Sequence, residues 1–203
     1  LINNKKIVGL IPARGNSVRL KNKNIMDFNG MPLIHWTIKS AQKSKYIDKI
    51  FVTSESDEIL KLAKGYKNTN VRKRPIYLSK NSSKTEDVIL DFIKYKDSFD
   101  ILVLLQPTSP LRNSKDIDDC INKLENGTNG TCISLTEYEK KPNWIYRTNF
   151  DNSTLNKLDI VNLSQEKDKY LILNGAVYCF YIKNFKTNPI IDYDNFSFHV
   201  MPK

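Results

Sequence analysis

A polar, basic loop follows the first apolar run of the chain. The run covers Ile7–Ile11, ends at Pro12 and is typical of a buried central strand. The loop carries cations and small residues: Arg14, Arg19, Lys21 and Lys23, with Gly15, Asn16 and Ser17 among them. Small residues let backbone N–H groups approach an anion, and several cations neutralise a polyphosphate. Because open α/β sheets bind ligands at the carboxyl ends of their strands, the loop is a candidate phosphate site, although a solvated basic turn has the same composition.

A second polar loop follows Asp100–Leu105, the clearest strand pattern in the chain, whose continuous apolar run is typical of a central parallel strand. Pro107 and Pro110 restrict the shape of this loop. Its donors are Gln106, Thr108, Ser109 and Arg112. A rigid turn that caps the next helix would need fewer polar side chains, so we interpret this loop as a second part of the same site.

Strand and helix patterns alternate in the segments that position these loops. Strands are predicted over residues 7–11, 49–54, 71–74, 100–105 and 131–135, and again over 176–182 and 196–200. Helices are predicted to begin near Met31, with Pro32 in the first turn, after Ser56, at Thr85 and after a cap at Ser114. This alternation predicts right-handed βαβ units, and therefore a three-layer α/β/α sandwich around a mostly parallel sheet.

The alternation stops between Glu137 and Tyr170, where the sequence is polar and has only weak strand signals near Trp144–Tyr146. A segment of this kind is typical of an insertion or arm. We therefore predict an α/β domain formed by residues 1–136 and 171–203, and a separate arm formed by residues 137–170.

Composition limits the classes of partner. The chain of 203 residues is 40% hydrophobic and 27% charged, which fits one globular domain with a modest appendage. The net charge of +10 is compatible with nucleic acid, anionic membranes or phosphorylated ligands, but lysine is spread along the chain without a long basic block. No apolar run approaches the ~20 residues that span a bilayer, and the N-terminus lacks a signal-peptide pattern. We expect a cytoplasmic protein that binds neither membrane nor nucleic acid.

The cysteines and histidines show no spacing typical of a metal site. They are Cys120, Cys132, Cys179, His35 and His199. We expect buried thiols of a reducing compartment and imidazoles with local partners.

Together, four segments resemble the cytidylyltransferases that activate acidic nine-carbon sugars, the CMP-sialic acid synthetase family with its relatives acting on legionaminic and pseudaminic acids. The segments are Ile11–Ser17 followed by Lys23–Asn24, then Arg74–Pro75, Leu105–Arg112 and Asn174–Tyr178. The resemblance implies a Rossmann-like nucleotide-binding sheet and a homodimer formed through the arm. It also implies that CTP and a nonulosonic acid give a CMP-sugar and pyrophosphate, with Mg²⁺ as cofactor.

The resemblance also implies roles for individual residues. Arg14, Lys23 and Gln106 would be catalytic; Ala13, Arg14, Gly15, Asn16, Ser17, Lys23, Asn24, Arg74 and Thr85 would bind the nucleotide; Gln106, Thr108, Ser109, Asn174 and Tyr178 would bind the sugar. In this arrangement Arg74 and Thr85 address the cytosine edge, and Gln106 lies between nucleotide and sugar. Nucleotidyl transfer needs positioning and cations more than covalent help, and the chain shows no candidate for a covalent nucleophile.

Two departures from the family leave the exact sugar open. Relatives that act on N-acetylneuraminate usually carry arginines before the Asn-Gly pair, where this chain has only Lys167 and Lys169 as cations. Asn81 stands where an aspartate is usual.

The metal ligands are also open. The resemblance implies that two aspartates that hold Mg²⁺ follow the last predicted strand, so they are expected beyond Lys203. Asp192 and Asp194 have a suitable spacing but precede that strand. The 203 residues alone are therefore expected to bind CTP weakly and to turn over poorly.

Two other functions fit parts of the sequence. A cytidylyltransferase for another acidic sugar, such as 3-deoxy-octulosonate, would share the sheet but differ in the opening loop. A basic nucleic-acid-binding module would fit the +10 charge and the ten tyrosines, although no aromatic RNA-binding motif is present.

Overall fold

The fold is seen in a computed structural model, which describes residues 2–15, 17, 20–139, 146–148, 155–157 and 170–202. Its strands are β1 (Ile7–Pro12), β2 (Asp27–Phe28), β3 (Met31–Pro32), β4 (Lys49–Ser54), β5 (Thr69–Lys73), β6 (Ile101–Leu105), β7 (Thr131–Tyr138), β8 (Tyr146–Thr148), β9 (Leu155–Lys157), β10 (Tyr170–Tyr181) and β11 (Ser197–Met201). The helices are α1 (Leu33–Gln42), α2 (Asp57–Lys64), α3 (Thr85–Tyr95), α4 (Ser114–Asn126) and α5 (Ile182–Thr187).

Within the described residues, seven strands form one sheet in the order β11-β7-β10-β6-β1-β4-β5. Neighbouring strands are parallel, except that β10 is antiparallel to both β6 and β7. Helices α1, α2 and α4 pack on one face, and α3 and α5 pack on the other. The predicted three-layer α/β/α sandwich with a mostly parallel sheet is therefore confirmed.

The two apolar runs that predicted central strands are buried on both faces. Every residue from Ile7 to Ile11 is buried, and so is every residue of β6. Helices on both sides of the sheet exclude water from these strands, which is why their sequences show no polar alternation.

The order of the strands creates a crevice. From β1 the chain proceeds to β4 and β5 on one side, and β6 then pairs with the other side of β1. Because the connections run in opposite directions from this point, the loops after β1 and β6 separate at the carboxyl edge. The two candidate loops of the sequence therefore flank one crevice.

Several local expectations are corrected. Met31 and Pro32 form a strand, in which Pro32 pairs with Asp27, and α1 begins only at Leu33. The cap of α4 is Asn113 instead of Ser114, because the side chain of Asn113 accepts from Asp116 N at 3.0 Å while Asp116 accepts from Asn113 N. Helix α5 was not predicted, since strand character was expected to continue to Ile182.

The strands on either side of the predicted arm extend beyond the predicted boundaries. Strand β7 continues to Tyr138 and pairs there with Tyr170, the first residue of β10. Between them, β8 and β9 form an antiparallel pair that starts at Tyr146. Trp144 lies outside the described residues, and the role of the arm stays a prediction.

The cysteines are buried free thiols, as predicted. Cys120, Cys132 and Cys179 lie in the core, and Cys132 stands directly opposite Cys179 on neighbouring strands. His35 contacts the Tyr66 hydroxyl at 2.9 Å, and His199 contacts Asp116 at 3.3 Å. In the described part of the chain, none of the helices combines the length and apolar character needed to cross a membrane.

Candidate active site

A cavity of about 300 Å³ lies in the crevice between β1 and β6. Residues predicted from the sequence line it from the loops after β1 and β6, from the end of β5 and from the start of α3: Arg14, Ser17, Lys23, Asn24, Arg74, Thr85, Gln106 and Thr108. The loop before α3 adds residues to which the sequence interpretation gave no role in binding, namely Lys80, Asn81, Ser83 and Lys84. Asn16 lies outside the described residues. The structure thus brings six of the predicted nucleotide-binding residues to one cavity together with Gln106, whereas Ala13 and Gly15 do not line it.

The loop after β1 is folded back on itself by a buried amide. Asn24 is 5% exposed, and its Nδ2 donates to the carbonyl oxygen of Arg14 at 2.8 Å. Asn22 precedes the short 3₁₀ helix Lys23–Ile25 in the left-handed region, with φ of 55°, a conformation that asparagine tolerates better than most residues. Arg14 Nη1 in turn donates to Asn81 Oδ1 at 3.1 Å, which joins this loop to the loop before α3.

A carboxylate ties the same loop to the neighbouring strands. Glu55, directly after β4, accepts from Gly15 N at 2.7 Å and from Arg74 Nη2 at 3.0 Å. The side chains of Arg74 and Glu55 are only 4% and 11% exposed. Burial alone would raise the pKa of Glu55, but hydrogen bonds from backbone N–H groups, Ser79 and Arg74 lower it. A Cβ on Gly15 would lie 2.8 Å from Ser56 Cβ, so this close approach requires glycine.

This tie bears on two predicted nucleotide contacts. The Gly15 N–H is engaged by Glu55, and Arg74 lines the cavity with its guanidinium paired to the same carboxylate. Ala13 is fully buried and donates its N–H to Thr53 O at 2.9 Å. The nucleotide contacts of Ala13, Gly15 and Arg74 stay predictions. Their hydrogen bonds to neighbouring strands show that they hold the loop in place.

The other wall of the crevice is held by Arg112. Its side chain is 3% exposed, and Nη1 donates to Gln106 O at 3.1 Å and to Ala176 O at 2.9 Å. Gln106 O also accepts from Ser109 N at 3.3 Å. Burial lowers the pKa of the Arg112 guanidinium to about 10, against the opposing effect of the Asp116 carboxylate. The loop after β6 is thus fastened to β10.

The register of β10 against β7 is broken between Leu173 and Tyr178, where the chain bulges. Asn174 Oδ1 accepts from Ala176 N at 3.0 Å and from Ser134 Oγ at 2.7 Å, so this amide oxygen is used inside the bulge. Ser134 Oγ also accepts from Val177 N at 2.8 Å. Whether Asn174 also contacts a sugar stays a prediction.

Gly175 brings the remaining predicted sugar residues together. Its φ of +69° lies in the left-handed region that favours glycine. Gln106 Oε1 and Tyr178 Oη lie 3.6 and 3.9 Å from the position that a Cβ on Gly175 would take. Burial, together with the nearby Tyr193 hydroxyl and the Glu86 charge, raises the pKa of Tyr178 to about 12. The phenol is therefore neutral at physiological pH and can donate a hydrogen bond.

Thr108, Ser109 and Asn174 line a second cavity of about 360 Å³. Thr108 lines both cavities, which are therefore adjacent. The predicted sugar residues accordingly lie on two sides of the Thr108 loop, with Gln106 facing the first cavity.

The ligands of the Mg²⁺ that the resemblance implies stay a prediction. The described residues that line the first cavity include no Asp or Glu, and within the described ranges no group of three His, Cys, Asp or Glu side chains is placed to hold a metal ion. Asp192 Oδ1 accepts from Asp194 N at 2.9 Å and Asn195 N at 3.0 Å, which is a local turn. The cations in the cavity are instead Arg14, Lys23, Lys80 and Lys84, with Arg74 paired to Glu55.

This sheet and its cationic crevice define a Rossmann-like fold of the nucleotide-binding type. Solved structures share it: CMP:2-keto-3-deoxy-manno-octonic acid synthetase complexed with CTP superposes with a TM-score of 0.72 at 15% identity, over 97% of this chain and 90% of that one. The 4-diphosphocytidyl-2C-methyl-D-erythritol synthase of Anaerococcus prevotii gives 0.65 at 14% identity, over 98% and 88%. At these identities the likeness concerns the fold.

The sequence profile of the cytidylyltransferase family matches residues 8–190, and the chain belongs to this family. It is 30% identical to the N-acylneuraminate cytidylyltransferase of Escherichia coli O18:K1:H7 over 85% of this chain and 42% of that protein. It is 32% identical to the CMP-N,N'-diacetyllegionaminic acid synthase of Legionella pneumophila over 68% of this chain and 61% of that protein. The chain thus spans less than two thirds of either relative.

Proposed function

We propose that the chain transfers CMP from CTP to the anomeric hydroxyl of a sialic-acid-like nonulosonic acid and releases pyrophosphate. The relatives named for this activity support the proposal, as does family membership. The structural observation that carries the proposal is the cavity in the crevice between β1 and β6. The cavity carries the cations Arg14 and Lys23 from the loop after β1 and Gln106 from the loop after β6. Gln106 and Tyr178 both lie close to Gly175.

The residues of the chain would act mainly by charge and position. Arg14 and Lys23 would neutralise the triphosphate and the charge that develops on the departing pyrophosphate. Gln106 would orient the anomeric hydroxyl, whose oxygen forms a bond to the α-phosphorus as the bond to pyrophosphate breaks. The neutral Tyr178 hydroxyl would donate to the sugar. No described carboxylate lines the cavity, so the hydroxyl proton would leave to water.

The same proposal includes three further properties. The enzyme would require Mg²⁺, form a homodimer and be located in the cytoplasm. Triphosphates commonly carry Mg²⁺, which compensates their charge. A dimer is supported by apolar side chains on the sheet face beside the arm: Leu173, Phe198 and Val200 are 47%, 48% and 41% exposed.

Pyrophosphate release tests the reaction. The full-length protein is incubated with CTP and Mg²⁺ and with N-acetylneuraminate, legionaminate, pseudaminate or 3-deoxy-octulosonate in turn, with ATP, GTP and UTP as controls. We expect release with CTP and a nine-carbon acid. Release with 3-deoxy-octulosonate alone would favour the eight-carbon alternative, and no release with any acid by the full-length protein would refute the activity. DNA binding with a steep dependence on salt would favour the nucleic-acid alternative.

Sedimentation tests the dimer. We expect a dimer of the chain, and a monomer when residues 140–169 are replaced by a short glycine-serine linker between β7 and β10. A variant that lacks these residues and stays dimeric would refute the role of the arm.

A further inference from the structure

We propose that Arg112 is a positioning residue of the sugar side. From a buried position it holds the carbonyl groups of Gln106 and Ala176 together, and so fixes the Gln106 side chain against the Gly175–Tyr178 turn. The inference rests on the proposed function, because Gln106 and Tyr178 are the residues proposed to contact the sugar. The proposed reaction assigns no role to Arg112 itself.

Arg112 acts where two strands separate. The last register pair of β6 and β10 joins Leu105 and Val177, and the ladder ends there. The next carbonyl on each side, Gln106 O and Ala176 O, accepts from the same nitrogen, Arg112 Nη1. Two carbonyl dipoles that converge on one point repel each other unless a donor lies between them, and a charged donor offsets this repulsion best. Arg112 therefore continues the strand pairing by one residue, beyond the last backbone pair.

Among the described residues, the hydrogen-bond partners of the Arg112 guanidinium are these two carbonyl groups. Nε and Nη2 are buried from solvent and have no hydrogen-bond partner among the described residues. Arg112 also lines the second cavity, beside Thr108, Ser109 and Asn174. The buried charge of Arg112 is costly, and within the described residues the nearby Asp116 forms no ion pair with it. A shorter neutral side chain would avoid this cost but would not span both carbonyls.

The bulge has separate anchors on its two sides. Toward β7, Ser134 binds Val177 N and Asn174 Oδ1. Toward β6, the side-chain hydrogen bonds that hold the bulge come from Arg112, among the described residues. Loss of Arg112 should therefore leave the bulge attached to β7 while it uncouples Gly175 and Tyr178 from Gln106. This predicts a defect in turnover with the fold and the CTP half of the cavity intact, because Arg14 and Lys23 belong to a different loop.

Variants at Arg112 test the proposal through turnover and CTP affinity measured separately. Arg112→Met removes both carbonyl contacts, and we expect kcat to fall by about 10- to 100-fold, as for a misplaced reactive group, with the Kd for CTP unchanged. Arg112→Lys keeps the charge but is too short to bridge both oxygens well, so an intermediate kcat is expected. The matched control is Arg72→Met, which loses an ion pair with Asp91 and a contact with the Tyr95 ring at the far edge of the sheet. It should leave kcat unchanged.

The kcat and the CTP affinity of the Arg112 variants distinguish a positioning role of Arg112 from a general structural role. Equal kcat for wild type and Arg112→Met, or a parallel loss of CTP affinity, would overturn the proposal. If Arg112→Met does not fold, Arg112→Lys decides: full wild-type kcat would overturn the need for a bridge, and a reduced kcat with normal CTP affinity would support it. Amide hydrogen exchange in the loops at Gln106 and Ala176 tests the same contacts and does not depend on enzymatic activity. Faster exchange in both loops of Arg112→Lys supports the tie even if the wild type releases no pyrophosphate, a result that would refute only the proposed function.

Discussion

The two walls of the crevice are built from different interactions. On the β1 side the cavity carries Arg14 and Lys23, and the loop is held by the buried ion pair of Glu55 and Arg74. On the β6–β10 side, hydrogen bonds of Ser134, Asn174 and Arg112 to backbone groups hold a bulge. The first wall presents charge, and the second presents neutral groups at fixed positions.

The difference indicates two ways to bind. A wall of cations attracts a polyanion over several ångströms, tolerates small displacements and weakens as salt screens it. A wall of neutral donors acts only at contact distance and fails when a group moves by about an ångström. Changes on the cationic wall should therefore affect charge neutralisation and depend on salt and pH, whereas changes on the neutral wall should affect turnover alone.

The largest effect is expected from Arg14→Ala. The variant removes a cation from the triphosphate side, and we expect turnover to fall by about 100-fold or more, the size seen when one preorganised transition-state donor is lost. Pyrophosphate release measures the effect, and circular dichroism checks the fold. Arg72→Ala is the control, because Arg72 is similarly half-buried but lies outside the cavity. Near-normal turnover of Arg14→Ala would show that the cationic wall is assigned wrongly.

Glu55→Gln should separate the stability of the cationic wall from its chemistry. It leaves Arg74 as an uncompensated buried charge, so the free energy of unfolding should fall by about 3 kcal/mol at pH 7. The pKa of Glu55 is below its ordinary 4.5 in the folded chain, so its contribution is complete above that pH and is lost as pH falls through the lowered pKa. The difference between wild type and variant should therefore shrink as the pH is lowered below 4.5.

Denaturant unfolding at pH 7 and at pH 3 measures this difference. Asp57→Asn serves as the control, because Asp57 pairs with Lys73 while 88% exposed and should matter little. A difference between wild type and Glu55→Gln that is the same at both pH values would contradict the charged tie.

The sequence predicted those parts of the fold and site that have local signals. The apolar runs of β1 and β6 predicted both strands within a residue, and the helix predicted after Ser56 begins at Asp57. Because polar loops directly follow both central strands, their meeting in one crevice followed from parallel topology. Asn113 could also have been recognised as the cap of α4, since Asp116 lies three residues after it and completes a capping box.

The remaining features have no local signal. The apolar pattern of a buried strand reads the same in both directions, so the antiparallel orientation of β10 was not visible. Helix α5 is six residues long, too short for a helical period to emerge. Arg112 binds backbone carbonyls, which every residue carries, and Glu55 meets Arg74 only because β4 and β5 are neighbours. Such contacts depend on the assembled sheet.

On the neutral wall, Gln106→Ala should reduce kcat by about 10-fold while the Kd for CTP changes little, because a positioning hydrogen bond is lost and the cations remain. Turnover is measured with saturating CTP, and CTP affinity is measured by calorimetry. Gln42→Ala, at the end of α1, is the matched control. A loss of CTP affinity without a loss of kcat would place Gln106 on the nucleotide side.

The smallest effect is expected from the two lysines of the loop before α3. Lys80 and Lys84 line the cavity, are exposed and form no salt bridge within the described part of the chain. Exposed ion pairs contribute only a few tenths of a kcal/mol up to about 1, so Lys80→Met or Lys84→Met should raise the Kd for CTP by about two- to fivefold. Calorimetry at low ionic strength measures this change.

Salt then distinguishes the two walls most directly. At ~1 M salt the Debye length falls to about 3 Å, so the difference in CTP affinity between wild type and the lysine variants should nearly vanish. The kcat defect of Gln106→Ala should persist under the same conditions, because a hydrogen bond at contact distance is not screened in this way. Lys94→Met, on α3 but outside the cavity, should not change CTP affinity at either salt concentration. A lysine effect that persists at high salt would mean that Lys80 or Lys84 binds by close, directional contact, and the division of the crevice into a charged wall and a neutral wall would have to be redrawn.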